Sequence, residues 1–195
     1  MVIIGFTGKM GSGKNYIAEQ ILLPFLTSHG YQVLTLAFAD QLKIDCMTKY
    51  GLNYNDVFKD KSPATRAILQ QEGTENGRNT RGADIWIKYV ASWVQIFSAR
   101  GIEHFLIPDV RFQNEAEWIL QQGGILVKID ANDRHQHHCA TRGISSERQQ
   151  HSSETDLDSF DHYDIIIDNR ISNQENVKQQ TLDVFNSKII NLKHG

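Results

Sequence analysis

The chain has 195 residues, of which 40% are hydrophobic and 22% are charged, and its formal net charge is −3. This length fits one α/β domain with small insertions, and the hydrophobic content excludes a globally disordered chain. The slightly acidic balance argues against nucleic-acid binding. Any anion-binding site must therefore be built locally from placed lysines and arginines.

Targeting and redox signals are weak. The two cysteines, Cys46 and Cys139, suit a reducing, cytoplasmic setting better than a disulfide scaffold. Met1 to Phe6 has the pattern of a core strand, so we expect no signal peptide. No apolar run approaches the ~20 residues that span a bilayer, and we expect no membrane association.

The most informative segment is the glycine-rich run from Gly8 to Lys14, which fits the phosphate-binding pattern G-x-x-x-x-G-K. The apolar run 2–6 predicts a buried strand before it, and apolar residues at helical spacing over 17–22 predict a helix after it. In that context, loop N–H groups and the helix N-terminus can bind phosphates, and Lys14 can reach the β- and γ-phosphates. The predicted nucleotide-binding residues of the loop are Gly8, Lys9, Met10, Gly11, Ser12, Gly13, Lys14 and Asn15.

Asn15 departs from the pattern, which usually has Ser or Thr after the lysine as a ligand of Mg²⁺. An amide oxygen can accept a hydrogen bond from a metal-bound water or ligate weakly. We therefore expect Mg²⁺ to be held by the nucleotide and by a carboxylate elsewhere, with Asn15 contributing.

Strand and helix patterns alternate downstream, which predicts a parallel sheet with helices on both faces. The expected later strands are 32–38, 104–107, 125–129 and 163–168. The expected helices are 64–71, one beginning near Ala83, 113–122 and 173–191, with Asp40 as a helix N-cap. In the helix after Ala83, aromatic residues recur at helical spacing, and we expect Trp93 and Phe97 to pack in the core.

Ligands of such sheets bind at the carboxyl ends of the strands, which predicts one cleft lined by Asn15, Asp40, Asp109 and the segment 130–160. Asp109 ends a strand, where phosphate-loop enzymes keep a metal-orienting aspartate; a turn-forming aspartate is the alternative. Arg111 follows at the same edge. Its planar guanidinium suits a second phosphate, and a solvated salt bridge is the alternative.

The segment 130–160 is long and polar, and it carries Arg134, Arg142 and Arg148. We predict a loop that closes as a lid over the phosphoryl group, with an exposed flexible loop as the alternative. The segment also contains His135, His137, His138 and Cys139. These lie too close together in sequence to provide the separated ligand pairs of a structural zinc site.

No convincing pair of nucleophile and base is present. An acceptor that already carries a phosphate needs none, because its second pKa of about 6 leaves the attacking oxygen ionised at neutral pH. Positioning and charge stabilisation can then supply the catalysis. The sequence therefore favours a kinase that acts on a phosphorylated acceptor.

Four sequence blocks, at 8–15, 38–43, 66–88 and 107–115, resemble the phage-type deoxynucleoside monophosphate kinases, a branch of the P-loop nucleotide kinases. Weaker similarity follows at 151–154 and 167–169. The blocks keep the family's order over nearly the whole chain. The family usually has Asp where this chain has Asn15.

This resemblance implies a three-layer P-loop kinase fold, in which helices flank a five-stranded parallel sheet. It implies a single domain over 1–195, with a helical acceptor-binding part at 44–100 and a mobile lid at 130–160. The implied reaction is phosphoryl transfer from ATP, with Mg²⁺, to a deoxynucleoside 5′-monophosphate, giving the diphosphate and ADP. The implied setting is the cytoplasm, of a host cell if the source is a phage, and dimerisation is common in the family.

The resemblance also assigns roles by position. The implied catalytic residues are Lys14, Asp109, Arg111 and Arg142. Asn15 and Asp109 would orient Mg²⁺ through water, while Arg134 and Asn169 would join the loop in binding ATP. The implied acceptor-binding residues are Lys43, Arg66, Gln70, Thr74, Glu75, Arg78, Trp86, Arg111 and Glu115.

Two alternatives stay open. Animal-type phosphomevalonate kinases have a similar loop, although the stretch from Gln70 to Glu75 and Trp86 favour a nucleotide acceptor. The other alternative is a nucleotide-binding regulatory or assembly protein without turnover, against which Asp109 and Arg111 argue. The accepted bases cannot be read from the sequence.

Overall fold

The computed structural model describes residues 1–170 and 176–189. The chain divides into two compact units. The first comprises Met1–Thr35 together with the described residues from Arg100 onward, and the second is Leu36–Ala99. Both ends of the predicted helix 173–191 lie outside the described residues.

The first unit contains a parallel sheet of five strands. In chain order they are β1 (Val2–Thr7), β2 (Val33–Thr35), β3 (His104–Ile107), β4 (Ile125–Asp130) and β5 (Ile165–Asp168). Their spatial order is β2-β3-β1-β4-β5. The strand before the phosphate loop is therefore central, with Ile4 opposite Leu106 on one side and Ile125 on the other.

Ten helices occur among the described residues, counting continuous helical stretches as one. They are α1 (Tyr16–Leu22, continuing as Leu23–Ser28), α2 (Ala39–Tyr50), α3 (Asn55–Lys59), α4 (Pro63–Gln70, Gln71–Arg78 and Asn79–Arg81), α5 (Ile85–Ser98), α6 (Gln113–Gln121), α7 (Asn132–Arg142), α8 (Ser146–Gln149), α9 (Ser152–Thr155) and α10 (Val177–Ile189).

Side-chain alternation along β1 explains the three layers. Ile4 and Phe6 are fully buried against α1 and α10, where Phe185 is also fully buried. Gly5 points to the opposite face, where a Cβ atom would lie 2.4 Å from Ile119 Cδ1 of α6. Because successive strand residues face opposite sides, helices cover both faces of the sheet. The predicted fold class is confirmed.

The second strand was predicted over 32–38 but covers only Val33–Thr35. In the second unit, the Asp40 carboxylate accepts a hydrogen bond from the backbone N–H of Ala37 at 2.8 Å. That N–H is therefore not available to a strand ladder. The prediction of Asp40 as an N-cap is also wrong, since Phe38 occupies that position and Asp40 lies in the first turn of α2.

The prediction of a long loop over 130–160 is wrong, because α7, α8 and α9 occupy most of it. These helices are polar, and their apolar residues do not recur at helical spacing. Hydrophobic spacing therefore could not indicate them. Local caps define them instead. Gly143 ends α7 in the left-handed conformation, and the Ser145 hydroxyl caps α8 by accepting from the N–H of Arg148.

Trp93 was predicted to pack in the core, but it is 37% exposed. Its ring stacks on Phe97 with centroids 5.8 Å apart. The buried residues of α5 are Trp86, Ile87, Val90 and Val94. The apolar stripe was therefore correctly identified as helical, but its aromatic end extends beyond the buried face.

Candidate active site

The phosphate loop joins β1 to α1, and its backbone depends on glycine. Gly8 and Gly13 have φ angles of 144° and 93°, values that L-residues rarely adopt. A Cβ atom at Gly13 would also lie 2.5 Å from Asn169 Nδ2. The Ser12 hydroxyl is buried, and within residues 1–170 and 176–189 it has no hydrogen-bond partner. The loop therefore holds an unused polar group where an anion needs donors.

Lys14 folds back over the loop and is only 9% exposed. Its Nζ donates to the carbonyl oxygens of Gly8 at 2.6 Å and Lys9 at 3.0 Å. Burial is the main cause that lowers its pKa to about 7, and the positive charge of Arg111 lowers the pKa further. Glu154 and Asp109 act in the opposite direction. A bound phosphate would likewise favour the charged ammonium.

Three residues outside the loop fix its position. The buried Asn169 donates from Nδ2 to the carbonyl oxygen of Ser12 at 2.8 Å. Arg134 Nε donates to the Asn169 carbonyl oxygen at 2.5 Å, and His135 Nδ1 lies 2.8 Å from the Met10 carbonyl oxygen. Both Arg134 and Asn169 were predicted to contact ATP. In the structure, Asn169 contacts the loop and Arg134 contacts Asn169. Sequence spacing contains no signal for these contacts.

Glu115, predicted to bind the acceptor, has a structural role at the start of α6. It is 3% exposed, and its Oε2 accepts from the backbone N–H groups of Arg111 at 2.9 Å and Phe112 at 3.1 Å. This carboxylate fixes the backbone that carries Arg111. Asp109, two residues earlier, lies close enough to raise the pKa of Lys14. Lys14, Asp109 and Arg111 are thus brought together as predicted.

Glu154 belongs to the site but was not predicted as a site residue. Its side chain is 5% exposed and forms an ion pair with Arg111 Nη1 through Oε1. Its Oε2 accepts from the N–H of Met10 in the phosphate loop at 3.2 Å. Lys9 Nζ donates to the Glu154 carbonyl oxygen at 2.6 Å and pairs with Asp158. The weak family similarity at 151–154 points to this stretch of the chain, but no sequence pattern indicates these contacts.

Metal ligands are sparse in this unit. Across 1–170 and 176–189, no group of three His, Cys, Asp or Glu side chains could hold a metal ion. Magnesium in phosphoryl-transfer sites is commonly bound by one or two carboxylates together with substrate phosphates, and Asp109 fits that requirement. Asn15 is exposed, and its Nδ2 lies 3.4 Å from Glu19 Oε1. His135 Nδ1 lies 3.7 Å from Cys139 Sγ, but two ligands are too few for a structural zinc site.

The arginines of the segment 130–160 have different environments. Arg134 is bonded to the Asn169 carbonyl, as described above. Arg142 is exposed in the last turn of α7, and Arg148 is half-buried in α8. Of the three, Arg142 is the one with a freely exposed position from which a side chain can reorient toward a ligand.

The second unit contains its own cavity of about 450 Å³. Its lining residues are Leu42, Asp45, Thr48, Lys49, Glu72, Asn76, Arg81 and Trp86. The Glu72 carboxylate accepts several hydrogen bonds on the polar side of the cavity. Its Oε1 accepts from Lys49 Nζ at 2.9 Å, Tyr50 Oη at 2.8 Å and Asn76 Nδ2 at 2.6 Å. The hydrogen bond from Lys49 is the main cause that lowers the pKa of Glu72.

An aromatic wall forms the other side of this cavity. Trp86 is 4% exposed, and its Nε1 donates to the Gly73 carbonyl oxygen at 2.9 Å. A Cβ atom at Gly77 would lie 2.7 Å from the Trp86 ring, so the glycine allows α4 to approach α5 closely. The helix predicted to end at residue 71 therefore continues past the tryptophan, and Gly77 leaves room for the ring.

Of the residues predicted for the acceptor, Trp86 lines this cavity and the others do not. Lys43 Nζ bonds Asp40 at 3.0 Å and lies 4.5 Å from the Phe58 ring centroid. Arg66 Nε donates to the Lys61 carbonyl oxygen at 3.1 Å. The remaining predicted residues are exposed or half-buried on α4: Gln70, Thr74, Glu75 and Arg78. Three residues that line the cavity were missed, because the polar residues of α2 and α4 give no periodic signal: Lys49, Glu72 and Asn76.

Every helix in the described part of the chain is too short or too polar to span a bilayer. No protein-family model matches the chain. A protein of Acanthamoeba polyphaga mimivirus, provisionally named deoxynucleotide monophosphate kinase, is 29% identical over 211 residues, which cover 97% of this chain and 95% of that protein.

Two solved structures have similar folds. The TT1252 protein of Thermus thermophilus has a TM-score of 0.55 at 18% identity, over 96% of this chain and 97% of that one. The Mycobacterium tuberculosis APS kinase, solved with AMPPNP and APS, has a TM-score of 0.50 at 15% identity, over 95% of both chains. The five-stranded parallel sheet flanked by helices, with its strand-loop-helix phosphate motif, is the fold of the P-loop kinases.

Proposed function

We propose that this protein transfers the γ-phosphoryl group of ATP to a deoxynucleoside 5′-monophosphate, giving the diphosphate and ADP. The observation that carries the proposal is the convergence of Lys14, Asp109 and Arg111 at a glycine-shaped phosphate loop. The mimivirus protein, similar along nearly the full length of both chains, supports the choice of acceptor.

The donor phosphates would bind the loop N–H groups, the Ser12 hydroxyl and Lys14. Lys14 would exchange its bonds to the Gly8 and Lys9 carbonyl oxygens for phosphate oxygens. Because negative charge favours the ammonium form, binding would raise the pKa of Lys14 above about 7. Asp109, with Asn15 beside the loop, would orient a magnesium ion that the nucleotide brings with it.

The acceptor phosphate would attack without a protein base, because its oxygen is already ionised at neutral pH. The protein's part is then to position the groups and to neutralise charge on the phosphoryl group in flight. Lys14 and Arg111 are placed for that task, and Glu115 holds the backbone of Arg111 in position. The segment 130–160 would act as the lid, with Arg142 as its mobile cation.

The cavity of the second unit is proposed to bind the base and sugar of the acceptor. Its volume of about 450 Å³ lies within the usual range for small-ligand sites. Trp86 supplies an apolar wall, while Glu72 and Asn76 supply the polar atoms that could select a base. These residues extend the set inferred from the sequence, of which Trp86 is the shared member.

The test is ADP release in a coupled assay with ATP and Mg²⁺. The acceptors are the four common deoxynucleoside monophosphates, their ribonucleotide counterparts and phosphomevalonate. Turnover with one or more deoxynucleotides, and weaker turnover with the ribonucleotides, is the expected result. Turnover with phosphomevalonate alone would assign a different small-molecule kinase, and ATP binding without any turnover would assign a non-catalytic nucleotide-binding protein. Action in the cytoplasm and a homodimer stay predictions.

A further inference from the structure

Glu154 occupies the kind of position that a phosphate takes in a phosphate loop. One carboxylate oxygen accepts from the N–H of Met10 at 3.2 Å, and the other pairs with Arg111. A backbone N–H of the loop and an arginine are the donors that bind phosphate in such sites. The Glu154 side chain is only 5% exposed, so this contact is made inside the site and not on its rim.

The charges around the loop support the same interpretation. Glu154 lies close enough to Lys14 to stabilise its ammonium form, as an anionic ligand would. Lys9 strengthens the contact by donating to the Glu154 carbonyl oxygen at 2.6 Å and pairing with Asp158. The segment around α9 is therefore attached to the loop at Glu154 by both its side chain and its backbone.

A second attachment lies two residues further on and does not involve the loop. The Asp156 carboxylate accepts from the N–H of Gln113 at 2.7 Å, and the Asp156 carbonyl oxygen accepts from Gln113 Nε2 at 2.7 Å. These bonds hold the segment at the start of α6, whereas its contacts with the loop run through Glu154 and through the pair between Lys9 and Asp158. Release of the Glu154 side chain would thus leave the segment held at Asp156 and Asp158, and movement would be confined to the residues before Asp156.

We propose that Glu154 is an intramolecular competitor for the phosphate site, which the phosphates of the nucleotide must displace, so that nucleotide binding releases α9 from the loop. Displacement also frees Arg111, so one event would make both the Met10 N–H and the arginine available to phosphate. The competition lowers the apparent affinity for nucleotide, because only the released fraction of the protein can bind. This inference rests on one part of the proposed function, the binding of ATP by the loop.

The experiment measures ATP affinity by calorimetry without acceptor, for the wild type, Glu154→Gln and Glu147→Gln. Glu147 is an exposed residue of α8 in the same segment, so its substitution matches the change in net charge. We expect Glu154→Gln to bind ATP about tenfold more tightly, since a charge-assisted contact no longer competes. We expect inorganic triphosphate to respond in the same way and Glu147→Gln to bind like the wild type.

Unchanged or weaker ATP binding by Glu154→Gln would overturn the inference and make Glu154 a positioning residue of the loop. If that variant does not fold, amide hydrogen exchange of the wild type decides instead: ATP should speed exchange in residues 151–154, and slower exchange would overturn the inference. A wild type that does not bind ATP would refute the proposed function together with this inference. A wild type that binds ATP, with no gain from Glu154→Gln, would refute the inference alone.

Discussion

In the proposed function, the phosphate loop and the cavity of the second unit would recognise ligands by different physical means. The loop uses backbone groups, held in place by glycines with positive φ and by the amide of Asn169. The cavity uses side chains, and its polar side depends on the single carboxylate of Glu72. Backbone recognition requires one short sequence pattern, whereas side-chain recognition can be assembled from any residues that a helix face brings together.

This difference predicts different responses to substitution. In the loop, a backbone donor cannot be removed by a side-chain change, so the vulnerable points are Lys14 and the residues that clamp the loop. In the cavity, each lining side chain can be changed individually. We therefore expect large effects on catalysis from few loop residues, and moderate effects on acceptor binding from several cavity residues.

The largest effect is expected for Lys14→Met. Loss of the ammonium removes the main side-chain charge on the phosphates, and turnover should fall by on the order of 10²–10³-fold or more. The melting temperature should change little, because the loss of the two hydrogen bonds to the loop carbonyl oxygens is offset by removal of an ammonium whose charged form burial disfavours. ADP release and a circular dichroism melt measure the two quantities. Near-normal turnover by a folded variant would show that the active site lies elsewhere.

A substitution in the cavity should have a smaller effect, and it should change acceptor binding without changing ATP binding. Asn76→Ala removes an amide that lines the cavity and donates to Glu72 at 2.6 Å. We expect the KM for the acceptor to rise about tenfold, with the KM for ATP unchanged. Gln71→Ala, which truncates an exposed amide elsewhere on α4 that does not line the cavity, is the matched control. Equal effects of both variants, or a selective rise for ATP, would contradict the assignment of the cavity to the acceptor.

The clamp on the loop can be tested through Asn169→Ala. The substitution leaves the buried Ser12 carbonyl oxygen without the donor at 2.8 Å, so the melting temperature should fall by roughly 3–6 °C. The dissociation constant for ATP should rise about fivefold, because the loop is less well ordered before binding. Thermal melts and calorimetry give both values. Lower stability with unchanged ATP affinity would limit Asn169 to a role in folding.

The smallest effect concerns acid stability at the end of β5. The hydrogen bond from the Arg170 side chain is the main cause that lowers the pKa of Asp168 to about 2, from a reference value of 3.8. A lowered carboxyl pKa stabilises the fold above the unfolded pKa, and this contribution disappears as pH falls through the folded value. Asp168→Asn should therefore melt up to about 2 °C lower than the wild type at pH 7. The two should converge near pH 2, and a difference independent of pH would contradict this role.

The parts of the molecule that could be predicted are those with a local or periodic signal. The phosphate loop follows from a short pattern, and the strands β3, β4 and β5 follow from apolar runs that match the sheet to within two residues. The placement of Asp109 and Arg111 near Lys14 follows from the rule that parallel strands end at the same edge of a sheet. These predictions needed no knowledge of distant contacts.

The contacts that could not be predicted join residues far apart in sequence or lie on polar helices. Asn169 bonds a residue 157 positions away, and Glu154 bonds one 144 positions away. Neither partner is marked by composition or periodicity. In the segment 130–160 the helices are defined by caps and by tertiary hydrogen bonds rather than by an apolar stripe, so a method based on hydrophobic spacing finds a loop there.

The central place of β1 in the sheet also has a consequence for biosynthesis. The first strand that pairs with β1 is β3, which begins at His104, opposite Val2. β2 also pairs with β3, so it too can pair only after β3 has been synthesised. At ordinary translation rates, β1 emerges from the ribosome on the order of ten seconds before any strand can pair with it. The contiguous unit Leu36–Ala99 is complete in that interval. The apolar stretch from Val2 to Phe6 is therefore the part of the nascent chain that we expect chaperones to protect, and the nucleotide can contribute no stability until the chain is more than half made.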